Sequence, residues 1–242
     1  MRNLLTVLRP LTLALALGGC VASSPVPVPV PVPPKDAAAP VQPPRVAAEN
    51  FLSVVARVEP VAEDYCRKQG VARNCDFRIV VDDRPGQPPN AFQTLDRANR
   101  PVIGFTLALI ADARNADELA FVLGHEAAHH IRGHIPKRQD QALSGALLAG
   151  VLAQASGLSP EEVRAAQNFG AEVAARSYSK EFELEADALG AEIAFLAGYD
   201  PVRGSGFFDR LPDPGDKFLG SHPPNAERKA LVAATTRRLR GF

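Results

Sequence analysis

The segment 125–129 constrains this sequence most, because it reads H-E-A-A-H inside a run, 115–134, that otherwise has the pattern of an α-helix. Residues four apart lie on one face of a helix, so His125 and His129 can bind one metal ion together. Glu126, one step round the helix, can reach a water molecule bound to that ion. The spacing therefore predicts a zinc site of the kind used for hydrolysis.

A second, acidic helix is predicted further along the chain, over 178–187. A hydrolytic zinc needs a third protein ligand and one open position, and a His2Glu set is a standard way to supply it. Glu183 and Asp187 are four apart and share a helix face, so one can bind zinc while the other receives the outer N–H of a ligating histidine. Glu181 and Glu185 are expected to point elsewhere.

The two motifs together resemble those of the HtpX-like and type I CAAX-protease-like zinc metallopeptidases. That family pairs H-E-x-x-H with a later E-x-x-x-D, and the segment 183–187 of this chain has the second motif. The resemblance covers about 47 to 240 and is similar most of all to periplasmic members linked to outer-membrane quality control. It also takes in four further short segments, which are 90–92, 189–190, 197–201 and 221–228.

The resemblance implies a fold class and a role for each residue of the two motifs. The fold would be α+β, a mainly helical zincin-like metallopeptidase domain with a small β-sheet beside the H-E-x-x-H helix. His125, His129 and Glu183 would bind one Zn²⁺ per chain. Glu126 would be the general base, and Asp187 would support a ligating histidine from the second layer.

The remaining histidines receive different expectations. His222 lies in a Ser-His-Pro-Pro tract that recurs in the family, so it would be catalytic, stabilising the oxyanion, or would fill the fourth zinc position and keep the enzyme latent. A loop histidine that only organises its turn is the alternative. His130 and His134 cannot join the ligand face and are expected at the surface or in a second layer. Arg228 is expected either to pair with the acidic motif helix or to be exposed.

The metzincin class of zinc peptidases is excluded by two positions. Metzincins continue the first motif with a glycine three residues after the second histidine and a third histidine three residues further on. This chain has Arg132 and Ile135 at those positions.

The beginning of the chain predicts export. Arg2 and Arg9 precede a short apolar stretch, 11–17. The last residue of this stretch begins the sequence Leu-Gly-Gly-Cys, which ends at Cys20. This pattern is typical of a secretory signal peptide, 1–19, and is too short to span a bilayer. It also resembles a bacterial lipobox, which implies cleavage before Cys20 and lipidation of that residue. An ordinary signal peptide with an incidental cysteine is the alternative. Valine, at position 21, follows the cysteine, and this pattern is similar to that of lipoproteins sent to the outer membrane. The expected location is therefore periplasmic, with a lipid anchor in the outer membrane.

A proline-rich tether is predicted between the anchor and the folded domain. The tether would span 20–45, with nine prolines between 25 and 44, and the metallopeptidase domain would span 46–242. Alternating prolines favour polyproline II, and ten such residues would extend roughly 30 Å. A proline-rich ligand for a partner domain is the alternative to this spacer.

Cysteine usage agrees with an oxidising compartment. Cys66 and Cys75 remain as a pair, separated by a polar loop, and are expected to form a disulfide. Two separate buried thiols are the alternative.

Charge gives no reason to expect nucleic acid as a partner. The chain has 27 basic and 27 acidic residues, and removal of the signal leaves a small negative charge. The basic cluster 237–240 is interpreted as the last turn of a helix, with contact to anionic lipid as the alternative.

The rest of the pattern is mostly helical with short strands. A helix is predicted over 47–70, with a bend at Pro60. Strands are predicted over 76–82, 90–95 and 101–106, and an edge of such a sheet can bind an extended peptide by strand addition. The apolar stretch 142–158 favours a buried or cleft-covering helical hairpin, with membrane insertion as the alternative.

These features predict a lipid-anchored periplasmic zinc endopeptidase. The resemblance and the expected periplasmic location imply that its substrates would be unfolded or misassembled envelope proteins. The outer-membrane assembly machinery would be a further partner. One alternative is a chaperone-like client-binding protein with a latent or blocked zinc site. The other is a structural zinc module, against which the placement of Glu126 argues.

Overall fold

Helix α3, Ala116–Arg132, carries the H-E-x-x-H segment and lies at the centre of the fold. The computed structural model describes residues 41–69, 74–177, 179–212 and 223–241. The predicted signal peptide, Cys20, most of the tether and His222 lie outside the described residues. Within them the helices are α1 Pro44–Lys68, α2 Leu107–Asp112, α3, α4 His134–Ala155, α5 Pro160–Ser177, α6 Ser179–Leu196, α7 Pro201–Gly204 followed by a 3₁₀ helix Ser205–Arg210, and α8 Asn225–Leu239.

A small mixed sheet packs beside α3, which confirms the predicted α+β class. Strands β1 (Arg78–Asp82), β3 (Pro101–Thr106) and β2 (Ala91–Leu95) lie in that order, with β1 parallel and β2 antiparallel to β3. β1 begins two residues later than predicted, because the side chain and carbonyl of Asp76 are bound by Arg100. β2 is an edge strand, and both β2 and β3 contact α3.

α1 and α6 both pack on α3 and form the core with it. α1 packs on α3 and α6, and α8 packs on α6. α1 buries one apolar stripe at helical spacing, consisting of Ala47, Phe51, Val54, Val58, Ala62 and Cys66. Pro60 lies inside α1 as predicted.

Helices α3 and α6 touch backbone to backbone at the first histidine of the motif. A Cβ atom at Gly124 would lie 2.6 Å from the carbonyl oxygen of Gly190, and one at Gly190 would lie 2.6 Å from the backbone nitrogen of His125. Only glycine at both positions permits this approach. The close crossing brings the H-E-x-x-H segment of α3 beside the E-x-x-x-D segment of α6.

Helix α3 begins where expected and ends earlier than expected. The side chain of Asn115 accepts a hydrogen bond from the backbone N–H of Glu118, as its capping-box spacing predicts. The carboxylate of Glu118 reaches back one residue further than a capping box, accepting from the backbone N–H of Arg114, and also pairs with Arg210. The predicted end at 134 is wrong, because Gly133 adopts a left-handed conformation with φ of 68° and ends the helix. His134 therefore begins α4.

The predicted disulfide between Cys66 and Cys75 is present. It joins the end of α1 to the segment before β1. In that segment the carbonyl of Asn74 contacts Nε2 of His130 at 2.8 Å, and the ring of Phe77 packs edge-on against His130. His130 is thus buried and structural, and the expectation of a surface or second-layer residue misses this role.

Removing the disulfide is expected to lower the free energy of unfolding by about 2 to 3 kcal/mol, because the bond closes a short loop in the unfolded chain. Urea unfolding of the oxidised protein beside the double variant Cys66→Ser/Cys75→Ser would measure this. Dithiothreitol should destabilise the original chain by a similar amount and leave the variant unchanged. Equal stability of the two oxidised proteins would contradict the prediction.

Helices α4 and α5 pair with each other as a hairpin, as the pattern over 142–158 predicts, but this hairpin is not buried. α5 has no buried residue in the described part of the chain. The large side chains of α4 point to solvent, with Leu148 at 64% and Val151 at 63% exposure. The glycines of α4 and α5 face each other, which lets the two helices approach closely and leaves the leucines outside. None of the helices in the described segments combines the length and hydropathy that a membrane crossing requires.

Candidate metal centre and active site

Three side chains from α3 and α6, those of His125, His129 and Glu183, converge on one point, the candidate metal point. His125 and His129 project from the same face of α3, and Glu183 faces them from α6. The two Nε2 atoms lie 3.1 Å apart. Oxygens of Glu183 lie 3.6 Å from Nε2 of His125 and 3.4 Å from Nε2 of His129. The four-residue spacing on α3 thus places the two histidines together. The close crossing of α3 and α6 at their glycines brings Glu183 to them.

These distances fit a tetrahedral metal ion. Ligand atoms around four-coordinate zinc, with bonds of about 2.0–2.1 Å, lie roughly 3.3 Å from one another. The three observed separations span 3.1 to 3.6 Å. The two imidazole nitrogens and the two carboxylate oxygens of Glu183 bring lone pairs together at these distances, and a cation between them would stabilise the arrangement. The residues present therefore fit a His2Glu metal site with a further position open to the cleft.

A buried ion pair supports the first histidine. Asp187 is fully buried, and its Oδ1 lies 2.9 Å from Nδ1 of His125. Arg228 donates to both oxygens of Asp187, at 2.6 and 2.8 Å, and lies 3.2 Å from Glu183. Burial lowers the pKa of His125, but the Asp187 carboxylate outweighs it and raises the pKa above its usual value. Asp187 thus holds the face of His125 opposite to the metal point, in the second layer.

A second chain of contacts supports His129. Nδ1 of His129 lies 2.8 Å from Nδ1 of His134, and Nε2 of His134 lies 3.1 Å from a carboxylate oxygen of Glu185. The ring of His134 is 4% exposed and stacks on Phe182, with centroids 4.6 Å apart. Burial lowers the pKa of His134 to about 4, so its ring is neutral at neutral pH.

Glu126 lies beside the two imidazoles and lines the cleft. Burial raises the pKa of its carboxyl above the usual range, an effect that the neighbouring histidines partly oppose. A carboxylate with a raised pKa is a better proton acceptor, which suits a general base.

The metal point lies at the bottom of a cleft of about 990 Å³. One wall is the edge strand β2, and the others come from α3, α6, the base of α4 and the 3₁₀ helix. The apolar side chains that line the cleft include Phe92, Phe121, Phe182, Phe207, Phe208 and Leu211. Such a cleft can accept an extended chain with apolar side chains.

The structure brings together five of the residues singled out in the sequence, namely His125, His129, Glu183, Glu126 and Asp187. It also adds residues to which the sequence assigned no such part. Glu185 is not among the three candidate ligands, as expected, but its carboxylate reaches His134. Arg228 is 5% exposed and pairs with the acidic motif, so the exposed alternative is wrong.

Comparison with known proteins agrees with the geometry. A putative beta-barrel assembly-enhancing protease of Vibrio cholerae is 24% identical over 196 residues, which cover 74% of this chain and 39% of that protein. The mitochondrial metalloendopeptidase OMA1 of Arabidopsis thaliana is 29% identical over 136 residues, which cover 54% of this chain and 27% of that protein. This chain thus spans well under half the length of these curated relatives.

The family comparison covers most of the described chain. A model of peptidase family M48 matches residues 53–236, a range that includes both motifs and most of α8. It confirms the resemblance inferred from the motifs. The chain belongs to peptidase family M48 and is a metallopeptidase by that membership.

Proposed function

We propose that this chain is a zinc-dependent endopeptidase that hydrolyses peptide bonds in unfolded or misassembled cell-envelope proteins. One observation carries the proposal. The Nε2 atoms of His125 and His129 and the two carboxylate oxygens of Glu183 lie at distances that suit a tetrahedral site, in an apolar cleft that Glu126 also lines. In this proposal His125, His129 and Glu183 hold the zinc. A zinc ion bound there would act as a Lewis acid that polarises the scissile carbonyl and favours ionisation of water.

Residues of the chain would transfer the proton and bind the substrate. Glu126 accepts a proton from the attacking water and returns it to the leaving amine, for which a raised pKa is favourable at neutral pH. The edge strand β2 pairs with an extended substrate backbone, and the apolar cleft accepts its side chains. Backbone pairing needs an unfolded segment, so a folded protein is a poor substrate. His222 is kept as a residue of this site by the family resemblance alone.

Location supports the substrate class. In this proposal residues 1–19 are a signal peptide, Cys20 carries the lipid, and residues 20–45 tether the peptidase domain 46–242 to the outer membrane. The relative named as a beta-barrel assembly-enhancing protease supports an envelope role and contact with the outer-membrane assembly machinery. The disulfide between Cys66 and Cys75 is compatible with an oxidising compartment.

Cleavage of one protein in two states tests the proposal. The zinc-loaded mature chain would be incubated with a reduced and alkylated, permanently unfolded protein, and in parallel with the native form of that protein. We expect cleavage of the unfolded form, with the native form largely resistant. Stoichiometric zinc with binding of the unfolded form but no cleavage would overturn the proposal in favour of a client-binding protein.

A further inference from the structure

The two histidines of the metal point are supported by different devices. His125 faces a fully buried carboxylate, that of Asp187. His129 instead faces the ring of His134, which in turn faces the half-exposed carboxylate of Glu185. A histidine that binds metal through one nitrogen usually donates the other N–H to a partner, and that partner sets its tautomer. For His129 this partner is another histidine and not a carboxylate.

The contacts of His134 decide which nitrogen of each ring carries a proton. A carboxylate only accepts hydrogen bonds, so Nε2 of His134 donates to Glu185. His129 would bind the metal through Nε2, so its Nδ1 carries the proton and donates to Nδ1 of His134, which accepts. Nε2 of His129 is then without a proton and directed at the metal point, as a ligand must be.

The fold holds this arrangement from three sides. Gly133 turns the chain so that His134, the first residue of α4, returns over His129. Phe182 of α6 stacks on the ring of His134 at an interplanar angle of 13°, which restricts its rotation. Glu185, three residues further on in α6, supplies the acceptor.

We propose that His134 and Glu185 are positioning residues that hold His129 in its metal-binding tautomer and orientation. The inference rests on the proposed function, because it takes His129 as a metal ligand. Neither residue touches the metal point in this assignment, and each acts through its neighbour. Losing such support typically lowers metal affinity about 10- to 100-fold.

Zinc affinity, measured by competition with a chromophoric chelator, tests the inference in the mature chain. Glu185→Gln is expected to bind zinc about 10-fold more weakly than the original chain. Glu181→Gln is the matched control, since it makes the same change at an exposed position one turn earlier on α6. Equal affinities of Glu185→Gln and Glu181→Gln would overturn the proposal for Glu185.

Two variants of His134 separate positioning from packing. His134→Phe retains an aromatic ring against Phe182 but no nitrogen, and should lose at least as much affinity as Glu185→Gln. His134→Asn places an amide oxygen near the former Nδ1 and should keep most of the affinity. If both variants bind zinc alike, His134 only packs. Should either fail to fold, Glu185→Gln still decides, because it alters a half-exposed side chain.

A spectroscopic signature completes the test. Nitrogen-15 NMR of the imidazoles in metal-free protein should report His129 as the Nδ1–H tautomer, and Glu185→Gln should shift the population toward Nε2–H. An unchanged tautomer would overturn the inference. Because neither measurement involves cleavage, weakened zinc binding in a chain that cleaves nothing would uphold the positioning role and reject the proposed function.

Discussion

Glu126→Gln is expected to lower kcat/KM on an unfolded protein by about 10²- to 10⁴-fold. An amide cannot accept the proton that the carboxylate takes from water, yet it has nearly the same size. The chain should therefore fold and bind zinc as before. The rate of cleavage, with zinc content measured on the same samples, would test this expectation.

The matched control for Glu126→Gln is Glu181→Gln, which also removes one carboxylate but at an exposed position on α6. It should cleave at the rate of the original chain. If Glu126→Gln retained activity while zinc remained bound, Glu126 would not be the general base. A structural zinc module would then be the better account of the site.

Arg228→Met is expected to lower the free energy of unfolding by about 3 to 5 kcal/mol, because it leaves a buried charge without its partner. Arg228 neutralises the fully buried Asp187 and also lies 3.2 Å from Glu183. Its guanidinium packs over the ring of Phe208, at 4.1 Å from the centroid, so methionine retains part of the packing but not the charge. Urea unfolding of zinc-free protein would measure the loss apart from metal binding.

The neighbouring residue supplies a matched control for Arg228→Met. Lys229 lies on the same helix and pairs with Asp209, but both side chains are substantially exposed. Lys229→Met should change stability by less than about 1 kcal/mol, as exposed ion pairs usually do. Similar losses in the two variants would mean that burial of Asp187 does not make its ion pair important.

The exposure of the α4–α5 hairpin differs from what its apolar composition predicts. The stretch 142–158 is rich in leucine and alanine, and the sequence favoured a buried or cleft-covering hairpin. The hairpin exists, but small residues fill the seam between its helices and leave Leu148 and Val151 in solvent. Hydrophobic content predicted the helices correctly, whereas their packing depended on which side chains fit between them.

The residues of the proposed metal site could be predicted because their geometry within each helix is local. Four-residue spacing places His125 and His129 on one face of any helix, and the same spacing relates Glu183 to Asp187. Only the resemblance to a known family joined these two helices in advance. The structural reason for their meeting is the crossing at Gly124, which no spacing rule predicts.

The sequence by itself determined the class of the fold, the disulfide between the remaining cysteines, and the pair of motifs that places the chain in peptidase family M48. Tertiary structure alone decided what surrounds those motifs. Gly133 ends α3 and returns His134 to His129, while α8 brings Arg228 to Asp187 from forty-one residues away. Local spacing follows from helix geometry, but such contacts depend on how helices distant in sequence turn and pack, so they appear only once the chain is folded.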